Sequence, residues 1–166
     1  TDYNVPLDAT GHITDDFRIR SSLATIEFLL EQGAAIILAS HLGRPKGTVV
    51  PEMSLAPVAL RLAELVQAEV LFAPDCVGSE VERMASVLEP GQILLLENLR
   101  FHNAEEKNDP VFSKQLASLA DVYVNDAFGT AHRAHASNVG MATHFSEKAA
   151  GFLLMQEINF LVQSIE

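Results

Sequence analysis

Ala35-Ile36-Ile37-Leu38-Ala39-Ser40-His41-Leu42-Gly43-Arg44-Pro45-Lys46-Gly47 decides how this chain is read. Five apolar residues run without alternation and end in a polar, cationic loop. An unbroken run of this length suits a strand that is covered on both faces. The pattern recurs twice. Ile93-Leu94-Leu95-Leu96 runs into Glu97-Asn98-Leu99-Arg100-Phe101-His102, and Val122-Tyr123-Val124 runs into a long loop from Asn125 to His135. Glu69-Val70-Leu71-Phe72-Ala73 is a further strand-like run, followed by Pro74-Asp75-Cys76.

Helical patterns separate these runs. Thr14 to Gln32 carries Ile19, Leu23, Ile26 and Leu30 on one face, with Thr14 as expected N-cap and Gly33 as expected stop. Ser54 to Gln67 places Leu55, Val58, Leu62 and Leu65 at helical spacing, with Ser54 as N-cap. Ser79 to Leu88 reads the same way and ends at Pro90-Gly91. Asp109-Pro110 is a cap followed by proline at the first helical position, and Phe112, Leu116 and Leu119 follow it. A last helix is expected from Gly151 or Phe152 to Ile165. Strand and helix alternate, so the expected class is α/β: a three-layer, open parallel sheet with helices on both faces, Rossmann-like, joined by right-handed crossovers.

The chain has 166 residues and a formal net charge of −11. A balance that acidic argues against general nucleic-acid binding, which needs a cationic face. It leaves room for a small anion, because a local arginine cluster can oppose the global charge. Cys76 is the only cysteine. One thiol builds no internal disulfide, and a reducing, cytoplasmic setting is expected. No apolar run approaches the roughly 18–20 residues that span a bilayer, so no membrane partner is expected. Thr1-Asp2-Tyr3-Asn4 has neither a basic nor an apolar leader pattern and no initiator Met.

In a parallel sheet the carboxyl ends of the strands share one edge, and ligands of open α/β sheets bind outside that edge. Topology therefore gathers Arg44, Arg100 and Arg133, with His41, His132 and His135, although they are far apart in sequence. The matching ligand is a compact phosphate or carboxylate, which the arginine fork pairs bidentately. The bland alternatives are solvated loop charges and histidines bonded to backbone carbonyls. His132 and His135 stand three apart, but no Cys or acidic residue stands at ligand spacing to them, so no metal site is expected. Cys76 reads as a small buried residue, with no base evident nearby in sequence. Leu42 to Thr48 lacks the P-loop spacing, and no G-x-G-x-x-G occurs.

These segments resemble signature segments of the phosphoglycerate kinases: Ser40 to Pro45, Leu95 to Phe101 and Asn125 to His135. Asp2 to Leu7, Ile13 to Ile19, Asp75-Cys76-Val77-Gly78 and Ala150 to Leu153 fit as well, in order and essentially end to end. The resemblance implies a two-domain glycolytic kinase, a transferase moving a phosphoryl group between 1,3-bisphosphoglycerate and ADP to give 3-phosphoglycerate and ATP. It implies that residues 1–166 are the N-terminal, phosphoglycerate-binding domain. ATP or ADP with Mg²⁺ would then be held by the enzyme's own C-terminal domain, beyond this chain. A monomer is expected for the whole enzyme.

Residue roles implied by the resemblance follow. Asp2 and Asn4 match the segment contacting the glycerate hydroxyl and carboxylate end. Arg18 matches the arginine on the transferring phosphoryl group and is the expected catalytic residue. His41 and Arg44 match substrate contacts, Arg100 and Arg133 match the grip on the 3-phosphate, and His132 and His135 match a supporting basic patch. The family's first strand starts upstream of Asp2, so this chain reads as half an enzyme trimmed at both ends. On its own it is expected to bind without turnover. The alternative is a non-catalytic anion-binding fragment of the same fold.

Overall fold

The computed structural model describes residues 1–164. Three parallel strands form the main sheet: β1 (Ile36–Leu38), β2 (Glu69–Phe72) and β3 (Gln92–Leu95), in the order β1-β3-β2. Ile37 stands opposite Leu94, and Leu71 stands opposite the same residue from the other side.

Side chains of a strand alternate between faces, and here the alternation builds two cores. Ile36, Leu38, Ile93 and Leu95 enter one core with Val70 and Phe72. Against it pack Ile19 of α1 (Phe17–Ser21), Ile26 of α2 (Leu23–Glu31) and Val58 and Leu62 of α3 (Ala56–Leu65). Ile37, Leu71, Leu94 and Leu96 enter the other. There they meet Val81 of α4 (Ser79–Ser86) and Phe112 and Leu116 of α6 (Pro110–Ala117). Helices on both faces explain why these strands are apolar beyond the polar first residues of β2 and β3, Glu69 and Gln92. Between them in sequence, α5 (Asn103–Glu106) is a single turn.

The expected single sheet is two hydrogen-bonded pieces. β4 (Tyr123–Asn125) pairs in parallel with β5 (Lys148–Ala150), and this pair forms its own sheet. An apolar cavity of about 230 Å³, lined by residues of both β1 and β4, lies between them. The sequence pattern did not mark β5, whose three residues are all exposed. α7 (Phe152–Gln163) follows it; Ile165, the expected end of this helix, lies outside the described residues.

Several helix boundaries differ from expectation, and at three of them a side chain accounts for the difference. The long helix from Thr14 is two helices broken at Ser22, whose Oγ donates to the Ile19 carbonyl and lies 2.8 Å from the Tyr3 hydroxyl. That side chain competes with the backbone ladder. The first turn starts at Phe17, whose N–H donates to Asp15 rather than to Thr14, and the Asp16 carboxylate accepts from Arg20 and Arg61, tying α1 to α3. Ser54 does not cap α3 alone. Glu97 reaches across from the end of β3, accepting from the Leu55 N–H at 2.9 Å and the Ser54 hydroxyl at 2.7 Å. Gly33 and Asp109 behave as expected. Gly33 has φ +78°, and the N–H groups of Gly33 and Ala34 donate to Leu30 and Leu29, a Schellman ending. Asp109 Oδ1 accepts from Val111 and Phe112.

Candidate functional site

The loops after β1 and β3 leave one sheet edge and are bonded to each other, and the loop after β4 leaves the neighbouring strand pair. After β3 the chain turns through Leu99–Phe101, capped by Asn98, which is fully buried. Asn98 Oδ1 accepts from Leu42 and Arg100 N–H groups, and its Nδ2 donates to the Leu42 and Met53 carbonyls. One amide thus fixes the loop after β1 against the loop after β3. Arg100 completes the link: Nη1 donates to the Gly43 carbonyl at 3.1 Å, while its own carbonyl accepts from Gly47 N–H.

Arg100 is only 3% exposed, and its buried Nε has no partner among the described residues. Burial lowers its pKa; Glu106 opposes the shift, and Arg133 and Arg44 add to it. A buried guanidinium with an unpaired donor and two cationic neighbours is an unfinished arrangement, and an anion would complete it. Arg44 is exposed and Arg133 half-buried, so both are open to solvent.

His41 is 9% exposed. Burial first, then Arg100, pushes its imidazole down to about 4, with Asp2 opposing. His41 is therefore neutral at pH 7. His135 is lowered by burial, then by Arg100, with Arg133 and His132 contributing. Arg44, Arg100, Arg133 and His132 are thus the side-chain cations felt at His41, Arg100 or His135, with Asp2, Glu105 and Glu106 as the opposing acids, on a chain of net charge −11.

The loop after β4 is held from beneath. Asn138 Nδ2 donates to the Thr130 carbonyl at 2.7 Å. Glu105, 2% exposed, accepts from the Ser137 N–H and hydroxyl, and burial raises its pKa. Asp126 Oδ1 accepts from the Leu154 N–H in the first turn of α7.

The amino-terminal segment forms the near wall. Asn4 Oδ1 accepts from the Gly43 N–H at 2.9 Å, so Asn4 is brought to the arginine loops. Asp2 is ion-paired with Arg18 and accepts from the Asn4 N–H. Both lie against Gly129 of the β4 loop, where an added Cβ would stand 2.6 Å from Asp2 Oδ2. Arg18 is thus held at the rim by Asp2, separate from the Arg100 linkage.

Asn98, Glu97, Glu105 and Gly129 carried no assigned role from sequence. Asn98 and Glu97 were signalled by their place directly after a strand, where a polar side chain faces the loops. Cys76 is buried as expected, and burial raises its thiol well above the ordinary value. The expectation of no base nearby needs correcting: His102 lies within 4.8 Å of it. No described helix is long and apolar enough to cross a membrane.

A family model described as Phosphoglycerate kinase matches residues 1–166. The chain is 59% identical over 164 residues to the cytosolic phosphoglycerate kinase of Triticum aestivum, covering 99% of this chain and 41% of that protein. It is 57% identical to the chloroplastic phosphoglycerate kinase 2 of Arabidopsis thaliana, covering 99% and 34%. The solved phosphoglycerate kinase of Coxiella burnetii superposes with a TM-score of 0.85 at 39% identity, over 98% of this chain and 40% of that one. The chain therefore spans about two fifths of the length of the relatives it matches.

Proposed function

The chain belongs to the phosphoglycerate kinase family, and on that footing we propose that residues 1–166 form the domain that binds 3-phosphoglycerate. The reaction is phosphoryl transfer between 1,3-bisphosphoglycerate and ADP, reversible, giving 3-phosphoglycerate and ATP, with a carboxyl group as acceptor. The observation that carries this reading is Arg100, buried, with an unpaired Nε and with Arg44 and Arg133 beside it.

Arg100 and Arg133 grip the 3-phosphate, and Arg44 adds a solvent-facing fork. His41, neutral at pH 7, donates or accepts one hydrogen bond without adding a further cation. Asn4 and Asp2 hold the glycerate end. Arg18, oriented by Asp2, neutralises charge developing on the transferring group. Such transfers are driven by positioning and charge neutralisation, and the acceptor carboxylate is already ionised at neutral pH, so no strong base is needed. His132 and His135 keep the face positive without touching the reacting atoms.

The arginine face does not fit Mg²⁺, which takes hard oxygen ligands in octahedral geometry. Mg²⁺ and ATP or ADP are held instead by a C-terminal nucleotide domain, the natural partner of this one. The whole enzyme works as a cytoplasmic monomer. A coupled assay of ATP-dependent phosphorylation of 3-phosphoglycerate, on the protein at its natural length, tests the reading. Turnover that falls about 10³-fold in Arg18→Ala supports it. Absence of turnover, or an Arg18→Ala variant as active as the parent, overturns it.

A further inference from the structure

A second cluster lies at the same sheet edge, on the β2 side. Asp75 and Cys76 follow β2, three and four residues beyond its end at Phe72. His102 leaves the Leu99–Phe101 turn after β3 and donates its N–H to the Leu99 carbonyl. Its ring lies tilted against Phe112, centroids 5.3 Å apart. A ring nitrogen of His102 stands 2.6 Å from Asp75 Oδ1. The Cys76 sulfur, an Asp75 oxygen and a His102 nitrogen all lie within 4.8 Å of one another.

We propose that Asp75, Cys76 and His102 form a binding site for a thiophilic divalent cation of the Zn²⁺ class. Thiolate, imidazole and carboxylate are a borderline donor set that suits Zn²⁺ and its Co²⁺ surrogate and that Mg²⁺ and Ca²⁺ avoid. Tetrahedral Zn²⁺ with these donors needs ligand atoms about 3.4–3.6 Å apart, given metal–ligand bonds of about 2.0–2.3 Å. Closing the cluster therefore takes shifts of about 1 Å: the Asp75–His102 contact opens and the sulfur moves in.

Burial grades across the site. Cys76 is 0% exposed, while the side chains of His102 and Asp75 are 32% and 47% exposed. The thiolate forms the floor, the ring and carboxylate form the mouth, and water takes the fourth position from outside. Asp75 and Glu105 are the charged groups acting on the Cys76 thiol, and both are acidic. On metal entry the Cys76 S–H bond breaks, its proton passes to solvent and a sulfur–metal bond forms. Cation, thiolate and carboxylate then sum to zero net charge. Arg100, two residues before His102, is turned away to Gly43, so the site is separate from the arginine face.

The test is an oxygen-free Co²⁺ titration of the natural-length protein, followed by optical absorption. The expected result is a one-to-one thiolate-to-cobalt charge-transfer band that Zn²⁺ displaces and excess Mg²⁺ does not. The band disappears in Cys76→Ala, and cobalt affinity falls by about tenfold or more in both His102→Gln and Asp75→Asn. No such band in folded protein overturns the proposal. So does a band that survives Cys76→Ala, or one that either partner substitution leaves unchanged. Should Cys76→Ala not fold, the two partner variants, at more exposed positions, carry the test.

Discussion

Asn98 and Leu42 exchange two hydrogen bonds: the Leu42 N–H donates to Asn98 Oδ1 at 3.2 Å, and Asn98 Nδ2 donates to the Leu42 carbonyl at 2.7 Å. The residues are 56 apart in sequence, so this pair joins two loops that local structure does not connect. Asn98 serves Arg100 and Met53 as well. Asn98→Ala leaves several buried backbone groups without partners. It is expected to cost about 2–4 kcal/mol, since each orphaned group costs about 1–3 and neighbours are not additive. A lower urea midpoint at unchanged slope is the signature.

Arg44 and Arg133 face solvent more than Arg100 does, so truncating them perturbs binding more than folding. Arg44→Ala and Arg133→Ala are each expected to weaken 3-phosphoglycerate binding by about 1.5–3 kcal/mol, roughly 10- to 150-fold. Lysine at either position should restore part of the affinity, as a point charge without the fork. Titration at two salt concentrations checks both statements, with the larger loss at high salt in the parent protein.

Gly129 is close-packed on the Asp2–Arg18 pair, and a Cβ there meets Asp2 Oδ2 at 2.6 Å. Gly129→Ala is expected to push Asp2 away and release Arg18. If Arg18 acts on the transferring group, the variant loses kcat with a smaller change in KM. A loss confined to KM would place Arg18 in ground-state binding instead.

His41 links stability to pH. Burial holds its folded pKa down at about 4, against about 6.5 in an unfolded chain. Above about pH 6.5 both states are neutral at this ring, and the full stability is present. As pH falls from 6.5 towards 4, only the unfolded state takes the proton, and stability is lost. The expected loss from this group is about 2–3 kcal/mol. Urea unfolding across that window should show a steeper decline in the parent than in His41→Gln, with the two profiles parallel above pH 7.

Where a feature depends on a few neighbouring residues, it was legible in the sequence. The apolar strands β1, β2 and β3, the Gly33 stop and the Asp109-Pro110 cap all follow from local pattern. The meeting of the loops after β1 and β3 followed from one topological rule, because these strands are parallel neighbours, whereas β4 belongs to a separate strand pair. What escaped depends on long-range partners. The break at Ser22 rests on Tyr3, and the α3 cap on Glu97, more than 40 residues away. β5 is a short exposed segment whose pairing with β4 alone makes it a strand. The nearness of His102 to Cys76 needs the fold, because β2 and β3 must first lie side by side.

In the proposed function Arg44, Arg100 and Arg133 together make one anion site for a phosphorylated acid. Its most direct test is a calorimetric titration of 3-phosphoglycerate into the natural-length protein at low salt, beside the Arg44→Ala/Arg133→Ala double variant. Saturable binding to the parent, weakened by about 100-fold or more in a folded double variant, is the predicted result. Equal affinity in both proteins, or no heat at millimolar ligand with the parent shown to be folded, would contradict it.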